Sequence, residues 1–211
     1  SVTIDNSGAT GTGKEFTLTS LIADGAKTIT FTGAGNFITT LDQTGTNVTT
    51  SVDASGATGT FGFTEAVTND VTIKGSAGQN TIAMGTTLTN ADTIIGGASA
   101  KDTVSATVGT VNTATTGAFN ISAVETLALT LTDGQTATVD LSSTTGITNT
   151  TLAASGTAGT GVLNLTGLAA AHKISTTDQA TNDYDGTINL TLASATGTSD
   201  SVTIDLKNDS S

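Results

Sequence analysis

The sequence predicts an all-β fold: an elongated β-solenoid or β-roll-like stack of short strands, with a β-sandwich as the alternative. Three observations carry this expectation. Apolar and hydroxyl residues alternate with period two along most of the chain, a pattern that gives a strand one buried and one polar face. Branched residues outweigh helix formers, with 12 Val and 13 Ile against three Glu and no Arg. Branching at Cβ stiffens χ1 and suits a pleated surface. Finally, related glycine-rich segments recur, as they do when one supersecondary unit is stacked on itself.

In chain order, the alternating segments are "VTID" (2–5), "FTLT" (16–19), "TITF" (28–31), "DVTI" (70–73), "TLALTLT" (126–132), "ATVDL" (137–141), "VLNL" (162–165), "TINLTL" (187–192) and "SVTIDL" (201–206). In the second half, Leu129, Leu141, Leu152, Leu163 and Ile174 follow one another at 10 to 12 residues. Only "TEAVTN" (64–69) and "GLAAAHKIS" (167–175) offer a turn or two of helix. The phrase "IDNSGATGT" (4–12) returns as "VDASGATGT" (52–60), an echo that reads as two copies of a strand and glycine-rich turn. Between roughly 110 and 120 the apolar pattern lapses. The chain is therefore divided into a degenerate glycine-rich repeat β unit, 1–110, and a second β unit, 111–211, that continues or packs on the first.

Composition limits what such a fold can do. Leu, Ile, Val and Phe number 15, 13, 12 and 6, about 22% of the chain, close to the roughly 20% at which disorder becomes the expectation. With one Tyr and no Trp, the core must be narrow. A net charge of −12 would repel phosphate backbones and anionic membranes, so neither nucleic acid nor membrane insertion is expected. No apolar run reaches the roughly 18 residues of a membrane span. There is no Cys, hence no disulfide or thiolate chemistry. There is also no Pro, which fits strands that hydrogen-bond on both edges. The start at Ser1 without Met and the close on "NDSS" read as a piece of something longer.

The stretch with the most chemistry is "DTIIGGASAKDTV" (92–104). Within it, "GGASAKDTV" follows the form G-G-x-G-x-D-x-U-x, in which an Asp and turn carbonyls hold Ca²⁺ and U, a large aliphatic, fills the core. Gly96, Gly97 and Val104 fit; Ser99 stands in place of the third glycine, and Asp102 comes one position late. "GSAGQNTI" (75–82) keeps Gly75, Gly78 and Ile82, with Asn80 for the Asp; "GAGNFI" (33–38) has Asn36 and no Asp. The glycines are expected to permit the turn.

"NADTIIGGASAKDTVSATV" (90–108) followed by "ISAVETLALTLTDG" (121–134) resembles the bacterial surface-layer (S-layer) and repeat-in-toxin (RTX) type of extracellular protein, over about half the chain. The resemblance implies a secreted protein of the bacterial cell surface that binds Ca²⁺ and assembles with copies of itself into a lattice or filament, or forms part of an adhesin. Carried over by position, the metal ligands are Asp92 and Asp102, with Asn80 in a weaker site. The residues themselves admit a second reading, in which Asp92 and Asp102 cap turns through backbone amides. A further acidic pair, Asp183 and Asp185 in "NDYDG", shares one side of a short extended stretch, as a second cation site or a solvated loop.

Enzymatic chemistry finds little support. His172, the single histidine, has no acid within four residues and reads as a surface or strand-edge residue. Glu125, just before an apolar strand, is expected to face solvent. The near absence of Trp and Tyr leaves nothing to stack on sugars beside a carboxylate pair. The expectation is a non-enzymatic structural domain that self-assembles as an S-layer component with Ca²⁺-stabilised turns. Its partners would be copies of itself and cell-surface polysaccharide. The alternative is a spacer or ligand-presenting repeat domain of a large adhesin.

Overall fold

The computed structural model describes residues 1–8, 14–43, 48–66, 68–109, 117–155, 161–176, 186–194 and 200–206. Among them there is no helix. In chain order the strands are β1 (Val2–Asp5), β2 (Glu15–Leu21), β3 (Thr28–Gly33), β4 (Asn36–Leu41), β5 (Ser51–Ala57), β6 (Phe61–Glu65), β7 (Thr72–Lys74), β8 (Asn80–Ala83) and β9 (Thr93–Ile95). They continue with β10 (Thr103–Val108), β11 (Asn120–Ser122), β12 (Thr126–Leu131), β13 (Gln135–Asp140), β14 (Asn149–Ala154), β15 (Gly161–Leu168), β16 (His172–Thr176), β17 (Thr187–Leu192) and β18 (Val202–Asp205).

Each strand up to β16, β11 excepted, pairs in parallel with the one two elements further on. The even-numbered strands form one nine-stranded sheet from β2 to β18. The odd-numbered strands form a second wall, six-stranded from β1 to β11 and three-stranded from β13 to β17. Bridges between Ala118 and Asp140 and between Ser122 and Thr145 join its two parts. The chain thus winds as a β-solenoid, laying one strand on each wall per coil. Thr81 lies beside Thr103, Thr103 beside Thr126, Thr126 beside Asn149 and Asn149 beside Lys173, so a coil consumes 22 to 24 residues there. Half a coil is the 10-to-12-residue spacing of the leucines, which alternate between walls: Leu129 on β12, Leu152 on β14, Leu163 on β15, Ile174 on β16.

Period-two alternation sends every second side chain inward, and in-register parallel pairing stacks like upon like. One wall contributes the column Val2, Ile29, Val52, Ile73, Ile94, Ile121. The other contributes Leu18, Thr39, Phe63, Ile82, Val104, Leu127, Thr150, Ile174, Ile204. Away from the ends these residues are fully buried, each contributing about 1.5–3 kcal/mol if aliphatic. The scarce aromatics are concentrated at one end. Phe31 packs edge-on to Phe37 at 5.2 Å and tilted to Phe61 at 5.2 Å, and Phe61 stacks with Phe63 at 5.8 Å. A narrow solenoid needs no thicker supply.

Neither helix candidate is helical among the described residues. Thr64 and Glu65 end β6, and "GLAAAHKIS" crosses from β15 through a tight turn to β16, with Ala171 at φ 63° and Gly167 at φ 71°. So short an alanine run cannot repay helix nucleation, whereas His172, Ile174 and Thr176 alternate inward. The echo "IDNSGATGT"/"VDASGATGT" has a local basis. Ser7 and Ser55 each donate backbone N–H and hydroxyl to Asp5 and Asp53, with N–H distances of 3.0 Å. Of the lapse between about 110 and 120, residues 110–116 lie outside the described residues. Across it, β10 and β12 pair directly over six residues.

Candidate functional site

The corner where the odd-strand wall hands over to the long sheet carries the motif residues. After β7, β9 and β11 come Gly75–Ser76, Gly96–Gly97 and Ala123–Val124, stacked coil on coil. A Cβ on Gly75 would run into the Gly96 carbonyl, one on Gly96 into the Ala123 carbonyl, and one on Gly97 into the Ser76 carbonyl. Gly96 and Gly97 do not have positive φ. The double glycine therefore serves close approach between neighbouring backbones more than a left-handed turn, a correction to the expectation that it permits the turn.

Directly after this corner, Asn80, Asp102 and Glu125 occupy equivalent places on successive coils. The Asp102 and Glu125 side chains each reach back to the coil before, whereas the Asn80 side chain bonds its own coil and Asp102. The Asn80 N–H donates to Asp102 Oδ1 at 2.8 Å, joined by Asn80 Nδ2 at 3.1 Å. The Asp102 N–H donates to Glu125 Oε2 at 2.8 Å. Asn80 Oδ1 in turn accepts the Ser76 N–H at 2.7 Å, and Asn80 Nδ2 donates to the Ser76 and Gly78 carbonyls at 3.1 and 2.8 Å. These are backbone donors at strand entry, which need partners once buried. Asn80 and Asp102 are fully buried, and Glu125 is half-buried rather than solvent-facing as expected. Glu125 lies 23 residues after Asp102, one coil on, and that spacing is the sequence signal for its place in this row.

Asp102 Oδ2 is buried. Burial pushes the Asp102 carboxyl above its usual range, with the negative charge of Glu125 adding to the rise and hydrogen bonds from Asn80 and, more weakly, the Gly97 N–H opposing it. Asp92 lies on the other side of the coil, just before β9. Its Oδ1 accepts the Val71 N–H at 2.9 Å, and its Oδ2 accepts the Thr89 N–H at 2.8 Å and hydroxyl at 3.2 Å. Asp92 is 2% exposed, and desolvation raises its pKa against those bonds. The structure thus brings Asn80 and Asp102 together and holds Asp92 apart as a clamp between two coils. Asp183 and Asp185 lie outside the described residues.

His172 corrects another expectation: it is buried, 1% exposed, with Nε2 2.9 Å from the Thr150 hydroxyl. Desolvation lowers its pKa. A groove of about 430 Å³ lies on the outer face of the long sheet, where Gly62 leaves a gap between Ile38 and Thr81. No titratable side chain lines it. Among the described residues, no three His, Asp or Glu side chains gather at one place, and no helix is long and apolar enough to cross a membrane. Comparison with protein-family models, with curated proteins and with solved structures returns no match.

Proposed function

We propose that this chain is a structural domain of a bacterial cell-surface assembly, which packs with copies of itself in a layer or filament and meets cell-surface polysaccharide there. The observation that supports the reading best is the parallel solenoid, its long sheet continuous from β2 to β18, whose inward columns are spent on its own core. Its job is mechanical, and no catalytic step is assigned to it. Ca²⁺ stiffens the corner at Asp102 in this reading. The buried Asp102 carboxylate beside Glu125 suits a cation. Ca²⁺ takes six to eight oxygens, so backbone carbonyls and water would complete the shell; the Asn80 amide turns its nitrogen to Asp102 and its oxygen to Ser76, and supports the site rather than ligating. Asp92, whose oxygens both accept backbone N–H groups, contributes mainly as a clamp.

Thermal unfolding and light scattering in stepped Ca²⁺ against EGTA test this. A raised midpoint together with Ca²⁺-triggered scattering supports it. A chain that responds in neither signal is a metal-free β rod, the spacer of an adhesin rather than an assembling layer.

A further inference from the structure

We propose that the outer face of the long sheet, over its middle coils, is a contact surface for a second copy of the chain, the two faces packing together about a two-fold axis. This rests on the self-assembly reading above and names the surface through which copies meet.

The observation is where charge is missing. The chain has 18 acidic and 6 basic residues. Among the described residues, no strand of the long sheet from β4 to β14 points a charged side chain outward. β4, β8, β10, β12 and β14 contain none at all. Glu65 of β6 is turned inward and is 3% exposed. The opposite wall has Asp5, Asp53, Lys74 and Asp140 on outward positions. Solubility alone would favour charge on both walls. In-register pairing gathers the neutral residues into columns. Thr81, Thr103 and Thr126 lie side by side, and Ala83, Ser105 and Ala128 form a second column two residues on.

A second copy fits this face by charge and by size. Two chains of net charge −12 repel each other, and least where two neutral faces meet. The outward side chains are mostly small, so two such sheets can approach to the roughly 10 Å of a β-sandwich. Ile38, 44% exposed on β4, gains burial in the contact. Strands about 4.8 Å apart and about 20 Å long, counted from β4 to β14, present on the order of 600 Å² per copy. The pair then hides about 1,200 Å², the lower end of specific interfaces, which suits a reversible contact. A neutral face is complementary to itself, as a two-fold contact requires, and such a contact closes at the dimer.

Sedimentation velocity of the 211-residue chain over a concentration series, in Ca²⁺ and in EGTA, provides the test. Thr103→Lys with Thr126→Lys puts two ammonium groups on the face. Lys173 stands two strands further along the same column, so the sheet accepts lysine there. These lysines reduce the net negative charge, so loss of the dimer cannot come from repulsion between whole molecules. The parent chain is expected to dimerise. The lysine pair is expected to raise the dissociation constant by about 100-fold, because like charges then face each other. Mixing it with Thr103→Asp plus Thr126→Asp is expected to restore dimers, which also shows that both variants are folded. Ser51→Lys with Thr72→Lys, on the opposite wall, should dimerise like the parent. Where the first lysine pair loses its far-ultraviolet β signal, Ser105→Lys with Ala128→Lys replaces it. A mixture without dimers, or an equal loss from the opposite-wall pair, overturns the proposal. A face-lysine pair that associates like the parent also overturns it, and leaves self-assembly standing through another surface. A parent chain that stays monomeric in both Ca²⁺ and EGTA overturns this contact and the self-assembly reading together.

Discussion

At the scale of the residue, the buried polar groups set the response to pH. Asp102 has a raised folded-state pKa. A carboxyl of that kind binds its proton more tightly folded than unfolded. Its contribution to stability is therefore complete below the unfolded value, about 3.9, and is lost as pH rises through the folded value. Asp102→Asn is expected to raise the unfolding midpoint at pH 7 without added Ca²⁺, with the difference from the parent vanishing below about pH 4. The same substitution should abolish any Ca²⁺-dependent rise in the midpoint, which separates the carboxylate's two roles. His172 works in the opposite sense. Its pKa is lowered by burial, so its stabilising share is present above the unfolded value near 6.5 and lost as pH falls. Thermal midpoints from pH 7.5 to 4.5 should decline more steeply in the parent than in His172→Gln, which has no ring to protonate. Asp5, Asp53 and Asp140 have pKa values lowered by their serine hydrogen bonds. They lose their share as pH falls through those lowered values, and being mostly exposed they matter less.

At the scale of the element, the strands are short, and their stability comes from stacked columns and the closeness of the coils. Ile73 lies between Val52 and Ile94 in a fully buried column. Ile73→Ala is expected to cost about 2–5 kcal/mol in urea unfolding, through lost burial and the cavity left behind. The glycines divide by what surrounds them. Gly97 faces the backbone carbonyl of Ser76, so Gly97→Ala forces two coils apart and should prevent cooperative folding. At Gly62, an added Cβ meets Ile38 Cγ1 at 3.4 Å and the Phe37 carbonyl at 3.5 Å, ordinary contacts. Gly62→Ala is expected to be neutral or stabilising by up to about 1 kcal/mol, because alanine gives up less backbone entropy in a strand. Matching denaturation curves for the two variants would contradict this division. The cross-coil ion pairs Lys74–Asp53 at 3.5 Å and Lys173–Asp205 at 3.6 Å are half-exposed, where such pairs contribute about 0–1 kcal/mol.

At the scale of the whole molecule, the solenoid is nearly one-dimensional. Each coil touches its neighbours, and stability is a sum of coil and interface contributions. The chain carries a net charge of −12, which opposes any approach of one copy to another. Raising sodium chloride from about 10 mM to 150 mM shortens the screening length from roughly 30 to 8 Å. Assembly measured by scattering is therefore expected to accelerate with salt. Acceleration by Ca²⁺ at matched ionic strength would then report specific binding rather than screening.

Several features were legible in the amino-acid order alone. Period-two alternation gives strands, and the even leucine spacing is half a coil, since a winding chain must return an apolar residue to each wall in turn. The capping of a local turn by Asp92 was legible too, because a short carboxylate reaches the backbone amide three residues before it. The tertiary structure decided what depends on residues a coil apart. It placed His172 inside, turned "GLAAAHKIS" into strand, and assigned Gly96 and Gly97 to coil contact. It also joined Asp102 to Glu125 across 23 positions. None of these is a property of a local window, because the partner that satisfies each group arrives only when the chain has wound once around its core.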